Sequence, residues 1–209
     1  TIGRRGIDYN GYGPHIGSDW IRAGFGDISG PYLPKKNVYQ AGEDGNVGTG
    51  AWGQQHSGIN YHIMRYADLL LMRAEIAVEE SDLATALSIV NQIRARARDM
   101  SYVQNEAGTA DAANYVIDEY ASFADQDEAR KAVRFERRLE LGMEGHRLFD
   151  LRRWGVDEAV INAYIPNEAR TIANFGTKAG TYMPFMNLLP IPVLALDLSG
   201  GVLEQNTGY

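Results

Sequence analysis

The sequence predicts a mainly α fold, in which a tetratricopeptide-like helical hairpin packs with long irregular loops and short strands. Two amphipathic helices joined by a short connection begin near residue 63, and a third strong helix begins near residue 127. The first 61 residues instead combine glycines with aromatic rings and keep no helical or strand period. These patterns divide one domain-sized chain of 209 residues into segments 1–61, 62–99, 100–155 and 156–209.

Segment 1–61 is predicted to form mostly loops and short strands. Glycines and prolines separate its rings, which are Tyr9, Tyr12, Trp20, Phe25, Tyr32, Tyr39, Trp52 and Tyr61. A loop region of this length is unusual in a compact domain, and is normally functional or packed onto other structure.

Segment 62–99 is predicted to form the hairpin. The inward stripe of its first helix is expected to be Ile63, Tyr66, Ala67, Leu70, Ala74 and Ala77. Ser81 or Asp82 can cap the second helix, whose expected stripe is Leu83, Ala86, Leu87, Val90, Ile93 and Ala97. The pair has the length of one tetratricopeptide unit, about 34 residues. A lone hairpin cannot bury its own apolar face, so further packing partners are expected.

The rest of the chain is predicted to hold two more helices. Residues 100–125 resemble a polar connection with a weak helical turn near 115–120, and the third helix then runs to about residue 145. The residues expected to face inward from it are Val133, Phe135, Leu139 and Met143. A short helix is expected over 157–164, and the tail with Pro184, Pro190 and Pro192 should be extended.

Composition excludes several classes of protein. A net charge of −7 and a pI near 5.1 argue against a nucleic-acid binder and favour a neutral or cationic ligand. The absence of cysteine excludes disulfides and thiolate chemistry. No apolar run approaches the roughly 18–20 residues that span a bilayer. The chain begins at Thr1 without a targeting segment, so a processed or partial polypeptide is expected.

The carboxylates of residues 134–153 are predicted to be structural and not catalytic. Glu144 lies three residues from Arg147, and Arg137 three from Glu140, which is the spacing of helical ion pairs. A partly buried ion-pair network is therefore expected. Neighbouring arginines lower a carboxyl pKa, whereas a general acid needs a raised one.

No metal or cofactor site is predicted. His146 has no second histidine at i+4, and the scattered His15, His56 and His62 form no ligand pattern. Nucleophile motifs such as G-x-S-x-G do not occur.

The aromatic loops are the better candidates for function. Sugar rings stack their apolar faces on Trp and Tyr, while amides and carboxylates bind the hydroxyls. The predicted substrate-binding residues are Tyr9, Asn10, Tyr12, Asp19, Trp20, Arg22 and Trp52. The alternative is that these rings only fill the underside of the loops. Trp154 is assigned to the core instead.

Four sequence motifs carry a more specific signal. They are RYADLLLMRAE at 65–75, NQIRARA at 91–97, ERRLELGMEGHRLFDLRRWG at 136–155, and LLPIP at 188–192 with QNTGY at 205–209. Together they resemble the SusD/RagB family of outer-membrane nutrient-binding lipoproteins over roughly residues 62–209. Residues 197–201 and Thr207 depart from that pattern where the family has prolines, which affects a local turn.

The resemblance implies a SusD-like fold and a binding protein that is not an enzyme. Such a protein is lipid-anchored at the outer face of a Bacteroidota-type outer membrane, through an N-terminal lipid that this sequence does not contain. It binds oligosaccharide or polysaccharide and delivers it to a SusC-like TonB-dependent transporter, as in starch-utilisation-like systems. Family members are more than twice this length, so this sequence is expected to be a C-terminal portion.

Three alternatives stay open at this point. A RagB-like member of the same uptake system would bind peptide, and a helical-repeat scaffold would bind only protein. A glycosidase would need two carboxylates that face one sugar bond.

Overall fold

The computed structural model describes residues 36, 47–49, 55–57, 60–102, 104, 109–111, 114–170 and 175–209. Of these, the residues up to Arg147 belong to one compact unit and those from Leu148 to another. The elements are β1 (Val47–Thr49), β2 (Gln55–Ser57), α1 (Tyr66–Glu79), α2 (Leu83–Arg98), α3 (Gln126–Glu140), α4 (His146–Arg153), α5 (Asp157–Glu168), α6 (Phe175–Ala179), a 3₁₀ helix (Pro184–Asn187) and α7 (Val193–Leu198). This mainly helical architecture confirms the predicted fold class.

The two strands form a small antiparallel pair. Val47 lies opposite Ser57, and Thr49 lies opposite Gln55. They are short strands of the kind predicted for segment 1–61.

Helices α1 and α2 form the predicted hairpin, with small residues where they meet. Ala74 and Ala86 are fully buried, which allows the two backbones to approach closely. Asp82 is the N-cap of α2, because its carboxylate accepts a hydrogen bond of 3.0 Å from the backbone N–H of Thr85. The α2 stripe is largely confirmed: its buried residues are Ala86, Ile89, Val90 and Ile93, with Leu83 and Leu87 packed beside them.

The predicted α1 stripe is wrong at its beginning. Ile63 and Tyr66 are 85% and 71% exposed, because the helix begins only at Tyr66 and turns another face to its neighbours. Leu71 and Val78 join the alanines in the core instead. Asp68, which the pattern placed on the polar side, is buried.

Helix α3 packs on both helices of the hairpin and completes the core of the first unit. Its buried apolar residues are Ala129, Ala132 and Val133. The prediction that Phe135, Leu139 and Met143 face inward is wrong, since they are 48%, 52% and 63% exposed. Their place on the inner face is taken by Glu136 and Arg137, which pair with residues of α1 and α2.

The predicted helix from 127 to 145 ends five residues early. Helix α3 ends at Glu140, and a turn precedes α4. Met143 and Gly145 have φ angles of 65° and 84°, which do not continue an α-helix. This turn exposes backbone carbonyls at the end of α3.

The weak helical turn predicted near 115–120 is not present, because side chains of α2 bind that backbone. Asn91 donates to the carbonyl of Tyr120 at 2.8 Å and accepts from its N–H at 2.9 Å. Arg94 donates to the carbonyl of Asp118 and lies 5.0 Å from the centre of the Tyr120 ring. The stretch is therefore held without helical hydrogen bonds.

In the second unit, the predicted short helix is longer, and the tail is only partly extended. Helix α5 runs to Glu168 and contains Pro166. Pro184 begins the 3₁₀ helix and Pro192 precedes α7, positions where proline is favoured because its missing N–H is not needed. Trp154 is half-buried, and the Arg153 guanidinium lies 5.0 Å from the centre of its ring. The prediction that Trp154 belongs to the core is therefore wrong.

Side chains of residues 205–209 make hydrogen bonds to the backbone of residues 188–191. Gln205 donates to the carbonyl of Ile191 at 2.9 Å and accepts from its N–H at 2.8 Å. Asn206 donates to the carbonyl of Leu189, and the Tyr209 hydroxyl to that of Leu188, both at 2.7 Å.

The helices of the described residues include none that is long and apolar enough to cross a membrane.

Candidate binding groove

The sequence-predicted ligand contacts lie outside the residues that the structure describes. They are Tyr9, Asn10, Tyr12, Asp19, Trp20, Arg22 and Trp52. Their role stays a prediction. The described part of the first unit nevertheless contains a groove, and its geometry follows from an ion-pair network at one end of the hairpin.

The centre of the network is Arg65, the residue that precedes α1. Its side chain makes no cap hydrogen bond to its own helix and reaches toward the end of α3. Its guanidinium donates to both carboxylate oxygens of Glu144 at 2.8 Å, and to the carboxylate of Glu140 at 2.8 Å. A planar guanidinium suits such a double contact.

Two further cations complete the network. The Lys36 ammonium donates to the carbonyls of Glu140 and Gly142 at 2.6 and 3.0 Å, and to the Glu144 carboxylate at 2.5 Å. It thereby satisfies carbonyls that the turn after α3 leaves without helical partners. Arg96 of α2 pairs with Glu140 at 2.5 Å.

The network favours the ionised form of Glu144. Burial opposes ionisation of Glu144, but hydrogen bonds from Arg65 and Lys36 outweigh it and lower the pKa of that carboxyl. The hydrogen bond to Glu144 raises the pKa of Arg65 in turn. The predicted partly buried ion-pair network is present: Glu140 and Glu144 pair with cations of other elements, and Asp150 pairs with Arg153 at the predicted i+3 spacing.

A second group of ion pairs is enclosed between the helices. Arg137 is 1% exposed and donates to Asp68 at 2.9 Å, with Glu75 at 3.4 Å. Glu136 pairs with Arg94 at 3.0 Å, and burial raises the pKa of this carboxyl in spite of that partner. The sequence predicts a lowered pKa for the carboxyl groups of residues 134–153, so the raised pKa of Glu136 is opposite to that prediction. Glu136 is only 4% exposed, so a ligand in solution does not reach it.

The groove lies between the first turn of α1 and the last turns of α2. It has a volume of about 580 Å³, and its described lining residues are His62, Met64, Arg65, Tyr66, Ala67, Leu70, Gln92, Ile93 and Arg96. A smaller cavity of about 210 Å³ adjoins it, lined by Lys36, Tyr61, His62, Arg65 and Glu144. The two cavities share His62 and Arg65 as lining residues.

The lining combines apolar surface with hydrogen-bond donors. The rings of Tyr61 and Tyr66 are 68% and 71% exposed, so their faces are open to stacking. Arg65, Arg96 and Gln92 supply N–H donors around an apolar floor that includes Ile93. Such a combination suits a polar ligand with an apolar face. The described residues contain no cluster of three or more metal-ligating side chains.

Sequence reasoning missed the groove residues His62, Gln92 and Arg96. One signal was available: Arg65 stands at the start of a strong helix, where a side chain that caps the helix is usual, and it cannot cap. The partners of Arg65 lie 75 and 79 residues away, so no local spacing predicts them.

Comparisons with known proteins agree on one family. The model of the SusD family matches residues 7–209. A SusD-like protein of Formosa agariphila is 31% identical over 183 residues, which cover 87% of this chain and 31% of that protein. A second SusD-like protein of the same organism is 38% identical over 94 residues, covering 45% of this chain and 17% of its own length.

A solved structure shares the fold. The crystal structure of a SusD homolog from Bacteroides thetaiotaomicron superposes with a TM-score of 0.54 at 28% identity, and covers 75% of this chain and 28% of its own. The chain thus spans at most about a third of the length of these relatives.

Proposed function

The chain belongs to the SusD family, and we propose that it binds oligosaccharide or polysaccharide nutrients at the cell surface and delivers them to a SusC-like TonB-dependent transporter. The observation that carries this proposal is the family match, which extends over residues 7–209. The family is one of non-catalytic binding proteins.

The proposed primary contacts are the residues of the aromatic loops. Trp20 and Trp52 offer ring faces for stacking, together with Tyr9 and Tyr12. Asn10, Asp19 and Arg22 offer polar groups for the hydroxyls. In the described residues, the exposed rings of Tyr61 and Tyr66 support the same mode of binding.

The proposed location is the outer face of the outer membrane, with an N-terminal lipid supplied outside the present sequence. The proposed partner is a SusC-like transporter. Both proposals rest on membership of the family.

Binding without a chemical reaction is supported by the ion-pair partners of the carboxylates beside the groove. Glu140 and Glu144 are each bound by two cations, which fixes their geometry, and the hydrogen bonds from Arg65 and Lys36 lower the pKa of the Glu144 carboxyl. A glycosidase needs one carboxyl that stays protonated as an acid. Release of new reducing ends from a polysaccharide by the purified protein would contradict this part of the proposal.

Isothermal titration against matched panels of oligosaccharides and oligopeptides tests the function. We expect binding to at least one oligosaccharide, and a loss of affinity in Trp20→Ala and Tyr12→Ala. Phe149→Ala removes a ring that is 69% exposed in the second unit, and should leave affinity unchanged. Affinity for oligopeptides alone would indicate the RagB-like alternative. Unchanged binding in both loop variants would refute the assigned contacts.

A further inference from the structure

We propose that the groove between α1 and α2 binds the anionic group of an acidic oligosaccharide, so that the ligand carries carboxylate or sulfate groups. The inference rests on the proposed glycan-binding function and specifies the class of ligand. The net charge of −7 favoured a neutral or cationic ligand, but the groove differs locally from the chain as a whole.

The charge of the groove is the first argument. Its described lining contains two arginines and a histidine, and no aspartate or glutamate. In the adjoining network, Lys36, Arg65 and Arg96 face the two carboxylates of Glu140 and Glu144, which leaves one positive charge in excess. The N-cap residue Arg65 makes no side-chain cap hydrogen bond to α1, so the N–H groups of its first turn add positive potential at the same place.

Arg96 is the cation best placed to meet a ligand. Its side chain is 53% exposed and lines the groove, whereas that of Arg65 is 20% exposed. Among the described residues it makes one ion pair, through a single guanidinium nitrogen. A guanidinium carries five N–H donors in a planar fork, so Arg96 keeps donors for a carboxylate or sulfate.

The apolar part of the lining favours a sugar acid over a peptide. Tyr66 and Leu70 offer apolar surface beside the arginines, as a sugar ring with an attached acid group requires. A peptide also presents N–H or ammonium groups. Among the described residues that line the groove and the adjoining cavity, the carboxylate is that of Glu144, which Arg65 and Lys36 already bind. The volume of about 580 Å³ is within the range of small-molecule sites.

Titration calorimetry with four probes tests the inference. They are an oligogalacturonate, its methyl ester, a sulfated galactan oligosaccharide and an acidic oligopeptide. We expect one of the acidic saccharides to bind about tenfold or more tightly than the ester, because a hydrogen bond to a charged group is the stronger kind. That preference should shrink as salt is added.

Substitutions at Arg96 separate charge from shape. Arg96→Gln should lower affinity for the preferred acidic saccharide about tenfold and leave the ester unaffected. Arg96→Lys, which keeps the charge, should retain part of the preference. Arg138→Gln removes the same charge from an exposed position of α3 that does not line the groove, and should change neither affinity. Circular dichroism spectra of the three variants verify that each is folded.

The outcomes distinguish this inference from the function on which it rests. If neither acidic saccharide binds more tightly than the ester, or if the Arg96→Gln variant keeps the preference, the acidic ligand is overturned and glycan binding is left intact. Binding of the oligopeptide with no saccharide overturns both. A preference for the sulfated probe over the uronate supports the inference and identifies the anion.

Discussion

Replacing Asp68 by alanine should destabilise the first unit substantially, because it leaves a buried cation with an incomplete set of partners. The Asp68 carboxylate accepts a 2.9 Å hydrogen bond from Arg137, and the two side chains are 5% and 1% exposed. Water cannot replace the lost carboxylate without opening the contact between α1 and α3.

The expected cost follows from the depth of the pair. Breaking a buried ion pair from one side costs about 3–5 kcal/mol, since the remaining charge stays desolvated. Glu75 remains 3.4 Å from the Arg137 guanidinium and offsets part of that charge. We therefore expect a loss near the lower end, about 3 kcal/mol, which corresponds to roughly 6–12 °C in melting temperature for a protein of this size.

Urea unfolding followed by circular dichroism at neutral pH measures the effect. Glu79→Ala breaks the exposed pair with Arg130 and serves as the matched control, with little expected change. The double variant Asp68→Ala, Arg137→Met should lose less than the two single variants together, because it removes the stranded charge. The reasoning is refuted if Asp68→Ala unfolds at the same urea concentration as Glu79→Ala.

Three further predictions concern titration and the tail. The pKa of Glu144 is lowered in the folded protein, so its ion pairs should stabilise the protein above the ordinary glutamate pKa of about 4.3. This stabilisation should be lost as the pH falls below that value. In urea unfolding, Glu144→Gln should remove this pH dependence of stability. The folded pKa of Glu136 is raised by burial, so its charge costs stability once the pH exceeds the ordinary glutamate pKa. The stability of Glu136→Gln should therefore increase relative to that of the wild type as the pH rises from about 4 to 7. An added Cβ at Gly208 would lie 2.5 Å from Phe185, so Gly208→Ala should speed amide hydrogen exchange in residues 188–209. Gly200→Ala, which also has a positive φ (62°) but nothing within 4 Å of its Cβ, should speed it less.

Local signals explain the elements that were predicted correctly. Asp82 is followed by apolar residues at helical spacing, and both the cap and the inner face of α2 were therefore predictable. The motif at 136–155 was sufficient for the family, because it depends on residue identity and not on packing.

Long-range pairing explains the elements that were not. A period of 3.6 residues places Phe135 and Leu139 inward, but Glu136 and Arg137 occupy that face because α1 and α2 supply their partners. Charged residues are rarely buried where two helices pack, so the hydrophobic pattern places apolar residues at that contact.

The groove was unpredictable for a related reason. It depends on two antiparallel helices that bring residues 62–70 beside residues 92–96. It also depends on Glu140 at the end of α3, whose carboxylate pairs with both Arg65 and Arg96. The acidic net charge of the chain even pointed to the opposite class of ligand.

The closing residues have a consequence for how the protein tolerates substitution. The bonds from Gln205, Asn206 and Tyr209 all end on main-chain atoms of residues 188–191, so they do not depend on which side chains that stretch carries. Leu189 is 83% exposed and is free to vary, whereas replacing Gln205 alone removes both of its bonds to Ile191. Mutational scanning should therefore find that residues 188–191 tolerate substitution, whereas the residues that bind their backbone do not.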